Sequence, residues 1–249
     1  MTVDEFLEEL RSVPGIALHP PADERDVAAV EDRYGIRLPS FHRELLLKTN
    51  GIEACDGYLR LFGVGPNAAI DMGQWNEPQL WKFACDPLIS EHFCIAEDGF
   101  GNQLASHRDD LQSGSLDAEL HFFPAELQRP AHVDSVTGYL CNGFLANAKL
   151  PGQSDAAVRK KLGPLDASEH VIYSPPPLIG GDGTAENAMK MPAVMAMIIN
   201  GDVWREYTRI SRGLTYYDFT IVSFEPFVDE KGRPRMRLVS DEDIRAGRG

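Results

Sequence analysis

The stretch SHRDD, residues 106–110, sets a serine, a histidine and two aspartates side by side, the residue types from which nucleophilic hydrolases are built. A triad works by geometry, however, and Ser106, His107, Asp109 and Asp110, as neighbours in one turn, point their side chains apart. They read as a solvated loop. IGGDGTAEN, residues 179–187, has the glycines of a phosphate cradle but lacks the lysine of GxxxxGKS/T and follows a proline run, so its glycines read as turn residues. WREYTRISR, residues 204–212, spaces aromatics among arginines that could stack on nucleobases, yet the acidity of the chain and the alternation favour a two-faced β-strand. Cys55, Cys85, Cys94 and Cys141 share no CxxC spacing, and no HxH or HExxH pattern supplies partners for zinc. They are expected to be buried thiols. The reading is of a chain with no metal, no cofactor and no catalytic residue, and not an enzyme.

Carboxylates and aromatics remain, the residue types suited to gripping another protein. The 249 residues carry a net charge of −14, unevenly placed: residues 1–150 have 24 Asp and Glu against 11 Lys and Arg, a net of −13, and residues 151–249 have 14 against 13, a net of −1. Such a field repels phosphate backbones and draws in basic proteins at rates that fall as salt rises. Plain solubility is the competing explanation. Trp75 and Trp81, in QWNEPQLWKFACDP, are either core side chains or partner-facing anchors beside Glu77. No apolar run approaches the ~18–20 residues of a membrane span, and the acidic start MTVDEFLEEL is unlike a secretory leader. A cytoplasmic chain that binds neither membrane nor nucleic acid is expected.

The elements that must position these residues begin with a pair of helices. In ADERDVAAVEDRYGIRLPSFHRELLLKTNG, Asp23 can cap a first helix that stops at Gly35; Pro39 and Ser40 open a second, for which Asn50-Gly51 supplies a left-handed stop. Phe41, Leu45 and Leu46 form its apolar stripe, with His42, Arg43, Glu44 and Lys48 mainly off it. The two pack as an αα-hairpin. The period then changes. GYLRLFGVG alternates, FCIAEDGFGNQLAS places Asp98-Gly99 and Gly101-Asn102 between two apolar runs as in a β-hairpin, and residues 120–123 add another strand. VDSVTGYLCNGFLANA turns helical again behind Asp134. The result is an α+β domain over residues 1–150.

VAAVEDRYGIRLPSFHRELLLKTNG, then GYLRLFG, FCIAEDGFGNQLAS and SVTGYLCNGFL, in that order and spacing, resembles the SUKH superfamily, which includes the yeast Smi/Knr-type regulators of cell-wall assembly and many bacterial immunity proteins. The likeness covers about residues 20–146 and rests on Glu31, Gly35, Leu38-Pro39, Leu45, Asn50-Gly51 and the glycine-rich turn at 98–101. It implies that the helical hairpin is scaffold, packed on a mainly antiparallel sheet whose other surfaces bind partners.

About a hundred residues extend beyond the likeness. Residues 151–187 read as a linker or short helix followed by a Pro/Gly-rich loop, and 188–249 as a β-rich extension packed on the first domain, with turns at Asn200-Gly201 and at 229–232. These strands are expected to extend the first sheet rather than form a small sheet of their own. The resemblance and the acidic first domain together imply an immunity protein of the bacterial branch that binds a cognate toxin, a basic nuclease among the possibilities; a Smi/Knr-type regulatory scaffold is the alternative. Glu53, Asp56, Trp75, Glu77, Trp81, Glu97 and Asp98 are the candidate contact residues. The toxin's identity and the oligomeric state are left open.

Overall fold

The computed structural model describes residues 1–113, 116–125, 130–150, 153–211 and 220–247, with 153–155 described by backbone alone. Its first helix, α1 (Val3–Arg11), has no counterpart in the sequence reading. A capping box sets it: Thr2 Oγ1 accepts the Glu5 N–H at 3.2 Å and the Thr2 N–H donates to Glu5 Oε2 at 2.7 Å. Val3, Phe6, Leu7 and Leu10 are the buried face. α2 (Glu24–Tyr34) follows the expected plan, with Asp23 accepting the Arg25 N–H and Gly35 ending the helix at φ 62°.

Helix α3 (Ser40–Leu46) departs from the expected ends. Ser40 does not cap it, and it finishes at Leu46, before Asn50-Gly51. Asn50 instead reaches across to a loop: Val64 N–H donates to its Oδ1 at 2.7 Å and its Nδ2 donates to Val64 O at 2.9 Å. Glu31, buried on α2, accepts the Leu38 N–H at 2.9 Å and meets Arg43 Nε at 3.4 Å, which locks the angle between the two helices. Leu45 and Leu46 are fully buried and Phe41 is half-buried, but His42 is buried with them rather than off the stripe.

Seven strands form one antiparallel sheet in chain order: β1 (Ala17–Leu18), β2 (Ile52–Ala54), β3 (Leu59–Leu61), β4 (His92–Asp98), β5 (Gln103–His107), β6 (Glu119–Phe123) and β7 (Ala131–Ser135). Between β3 and β4 the chain makes α4 (Met72–Trp75), a π-helical turn (Pro78–Lys82) and α5 (Phe83–Cys85); α6 (Arg108–Gln112) follows β5. After β7, α7 (Val136–Gly138), a π-helical segment (Tyr139–Phe144) and α8 (Leu145–Lys149) run on as one helix. Ser135, not Asp134, caps it, by accepting the Gly138 N–H at 3.0 Å.

The remainder is less β-rich than its sequence suggests. α9 (Gln153–Leu162) precedes an antiparallel pair, β8 (Glu169–Tyr173) and β9 (Ala188–Pro192), joined by the Pro/Gly loop with only two short 3-10 turns. The expected hairpin at Asn200-Gly201 is instead the middle of α10 (Ala193–Ser211), and WREYTRIS is helical, with Arg212 outside the described residues. The reason is tertiary. A Cβ on Gly201 would sit 2.7 Å from Cys85 Sγ and 2.8 Å from the Ala84 backbone, so the glycine serves close helix packing rather than a turn. Ala193, Met197 and Ile198 of α10 join the main core.

β10 (Ile221–Val228) and β11 (Pro234–Ser240) form the hairpin expected around 229–232, and α11 (Asp241–Arg245) follows; residues 216–219, the expected start of that strand, lie outside the described residues. Neither C-terminal hairpin joins the seven-stranded sheet, contrary to expectation. α10 supplies the apolar cover that four extra strands were thought to need. Asp202 of α10, wholly buried, anchors the last hairpin by accepting Arg235 Nε at 2.9 Å and the Met236 N–H at 2.7 Å.

Candidate functional site

One face of the sheet carries a cleft of about 470 Å³. Leu59, Leu104, Phe122 and Ala131, from four strands, make its floor, and the bulged Val133 lies at its edge. Tyr139 and Asn147 of the last helix of the domain, Tyr58, and Arg159 of α9 form the walls, the guanidinium standing 6.0 Å over the Tyr58 ring. An apolar floor with a few polar groups around it is what a recognition site needs, and the volume falls in the usual range of about 300–1,000 Å³. Strand β7 is the last of the sheet; Ala131, His132 and Val133 are exposed on it.

Two carboxylates stand by the cleft. Asp98 ends β4 and ties the β4–β5 turn by accepting the Phe100 N–H (2.9 Å), the Asn102 N–H (3.1 Å) and Asn102 Nδ2 (2.7 Å). Burial pushes its carboxyl up to about 6, against the pull of those hydrogen bonds. Asp56, which follows the lining Cys55, is exposed and sits in a backbone that side chains rarely adopt: Cys55, Asp56 and Gly57 follow one another at φ 55°, 57° and 85°. For the two non-glycine residues this costs on the order of 1–3 kcal/mol each. The C-terminal region holds them there. Leu165 N–H donates to Asp56 O at 2.9 Å, and a Cβ on Gly57 would lie 2.3 Å from Leu165 O. A strained turn, over-determined by its neighbours and set beside a cleft, is the kind of backbone that functional sites retain.

Of the seven residues selected from the sequence, only Asp98 lines this cleft; Asp56 is exposed one residue along the chain from Cys55, which does. Glu53 lies in β2, paired across the strands with Arg60 and 3.6 Å from His19. Glu77, half-buried, meets Arg33 and the Tyr34 hydroxyl. Trp75, Trp81 and Glu97 are buried, and the choice between core and anchor falls to core. Trp81 donates its indole N–H to Trp75 O, and Trp75 donates its own to Gln103 Oε1, both at 2.9 Å. Gln103 Nε2 in turn donates to Glu97 Oε2 at 2.9 Å, while Glu97 Oε1 takes Arg60 Nη1 at 3.1 Å and His170 Nε2 at 2.9 Å. Burial would raise the Glu97 carboxyl; His170 and Arg60 overcome it and hold the group below its ordinary value. Arg60 also donates to the backbone of Asp166 and Glu169. These residues staple the C-terminal region to the sheet, and no partner reaches them in this fold.

Sequence reasoning missed Tyr58, Phe122, Val133, Tyr139 and Arg159. Of these only the exposed valine in AHVDS leaves a trace in the pattern, and Arg159 reaches the cleft from α9, beyond the first domain. The SHRDD serine is no nucleophile in waiting: Ser106 Oγ is buried with no hydrogen-bond partner, and His107 caps α6. Among the described residues no group of three or more His, Cys, Asp or Glu is placed to hold a metal ion, and no helix is long and apolar enough to cross a membrane. Cys85 and Cys94 are buried, and Cys55 and Cys141 are half-exposed.

No curated protein matches this chain in sequence. Among solved structures it is similar to the crystal structure of Atu4351 from Agrobacterium tumefaciens, with a TM-score of 0.53 over 77% of this chain and 86% of that one at 16% identity, a likeness of fold. That likeness extends beyond the segment matched by a family model, which is SMI1 / KNR4 (SUKH-1) over residues 21–142. Helical hairpin, antiparallel sheet and closing helix thus stand where the resemblance placed them, and residues 21–142 of this chain match the SMI1 / KNR4 family (SUKH-1).

Proposed function

We propose that this chain is a non-enzymatic immunity protein that binds a basic bacterial toxin in the cytoplasm and neutralises it by covering its working surface. The observation that carries the reading is the 470 Å³ cleft on the acidic first domain, floored by apolar side chains and lined by Asp98, with Asp56 exposed next to the lining Cys55 in the chain. An apolar centre with a charged rim is the anatomy of a protein interface, in which a few buried anchors give affinity and the surrounding charge sets the rate of encounter. The net −13 of residues 1–150 favours a basic partner, and Glu53 and Glu77 contribute to that field from elsewhere on the domain. The match to SUKH-1 accords with a protein-binding role.

The test is co-expression with the toxin encoded beside this chain, scored by cell survival, with Asp56→Lys next to the lining Cys55 and Val133→Lys in the cleft itself. Protection should fall in both variants while their melting temperatures stay within a few degrees of the parent. Association should slow steeply with salt while dissociation changes little. Survival that does not depend on the chain, or a source genome with no adjacent toxin, refutes the immunity reading in favour of the Smi/Knr-type regulatory scaffold.

A further inference from the structure

Away from the cleft, α10 and the last hairpin enclose a second apolar groove, of about 240 Å³, between Met195, Ile198 and Ile199 on the helix and Pro226, Val228 and Met236 on the strands. Its rim is among the most exposed apolar surface of the described residues: Val228 is 68% exposed and Phe227 43%. Large apolar side chains left exposed around an apolar groove mark an interaction site.

The character of the face identifies the occupant. It carries projecting apolar side chains and a groove to receive them, so it is its own complement, which is what a two-fold interface between identical chains requires. Charge points the same way. The segment 221–240 has three carboxylates (Glu225, Asp229, Glu230) and four cations (Lys231, Arg233, Arg235, Arg237), a net of +1, where residues 1–150 have a net of −13. Three of those cations are already paired, Arg237 with Glu225 and Arg233 with Asp229, each at 2.6 Å, and Arg235 with Asp202 of α10 at 2.9 Å. Two copies can meet here without the repulsion that opposes contact through their first domains, and a basic partner finds no field to draw it. Pro226, which has no N–H to donate, disfavours strand addition along the β10 edge, so association is face to face and closes on itself.

We propose that this face is the interface of a symmetric dimer, in which Phe227 and Val228 of each copy enter the groove beside Met195 and Ile199 of the other. The assignment is independent of the cleft and its partner. Light scattering on the full chain between about 1 and 100 µM should give twice the monomer mass. Phe227→Asp and Val228→Asp should each halve it, with helical content and thermal melt retained because both side chains are exposed. Leu116→Asp, which removes an apolar side chain that is 85% exposed elsewhere, should leave the dimer intact. A monomer throughout that range overturns the proposal. So does a dimer that survives both hairpin variants, or one that Leu116→Asp dissociates equally well.

Discussion

Lowering the pH from about 7 to about 5 should destabilise the fold through one imidazole, that of His42. The ring is fully buried on α3 and neither of its nitrogens has a hydrogen-bond partner. Burial lowers its pKa from 6.5 to about 4. Above 6.5 the ring is neutral in folded and unfolded chains alike and contributes no pH dependence. Between 6.5 and about 4 the unfolded chain takes up a proton that the folded chain refuses, so stability falls with pH; below that range the loss is complete. With about 1.4 kcal/mol per pKa unit, the loss is about 2 kcal/mol at pH 5 and about 3 kcal/mol in full. Other groups titrate in the same window. His92 is likewise lowered to about 4, by burial and then by His107 and His121, and adds to the loss. Asp98, raised to about 6, works the other way, because its folded form takes the proton first. The wild-type curve sums all three, and His42→Leu isolates one of them. Urea melts of both proteins at a series of pH values should give a stability gap in favour of the variant that widens by about 2 kcal/mol between pH 7 and pH 5. At pH 7 the variant should already be more stable by about 1–2 kcal/mol, since two unpaired buried nitrogens are gone. A gap that stays constant with pH would show that the ring is solvated or hydrogen-bonded in solution and refute the argument.

Leu45→Ala should cost about 2–5 kcal/mol, the range for deleting a fully buried leucine, and a urea melt showing less than about 0.5 kcal/mol would place the α3 stripe at the surface. Asn50→Ala removes both bonds to Val64 and leaves a buried N–H and C=O unpaired, so a loss of about 3 kcal/mol is expected by the same measurement. Ending the chain after Ala148 should abolish cooperative melting, because it strips Ala193, Met197 and Ile198 of α10 from the main core; a soluble fragment with a sharp thermal transition would refute this. Asp202→Ala leaves Arg235 with its principal partner gone in a buried setting and should cost about 3–5 kcal/mol, read from the shift in urea midpoint.

The parts of the fold legible in the sequence are those fixed by local chemistry. Asp23 and Gly35 bound α2 through contacts within a few residues, and Asp98 with Asn102 marks the β4–β5 turn through side-chain bonds to its own backbone. What escaped depends on residues distant in the chain. Asn200-Gly201 carries a strong hairpin signature, and only the proximity of Ala84 and Cys85 reveals why a helix needs glycine there. The left-handed Cys55 and Asp56 stay in place because Leu165 closes over the turn. Trp75 and Glu97 looked available for a partner because the chain that covers them arrives much later, with His170. Asp98 was found for its charge, whereas the cleft it lines is assembled from four strands, the last helix of the domain and Arg159 of α9, residues far apart in the chain.

The polar row Glu53, Arg60, Glu97 and Gln103 crosses four neighbouring strands, and His170 closes it from 73 residues beyond Glu97. Such a row suits a sheet that is roofed by hydrogen-bonding groups or left open to water, and is ill suited to one roofed by apolar side chains. Chain length is therefore inscribed in the middle of the domain. A longer relative that buries this row must supply, from its tail, an acceptor for the arginine and a donor for the glutamate. Changes at positions 60 and 97 should then travel with changes near 166–170. A relative that ends with the last helix of the domain carries no such obligation, and its row is free to vary as surface.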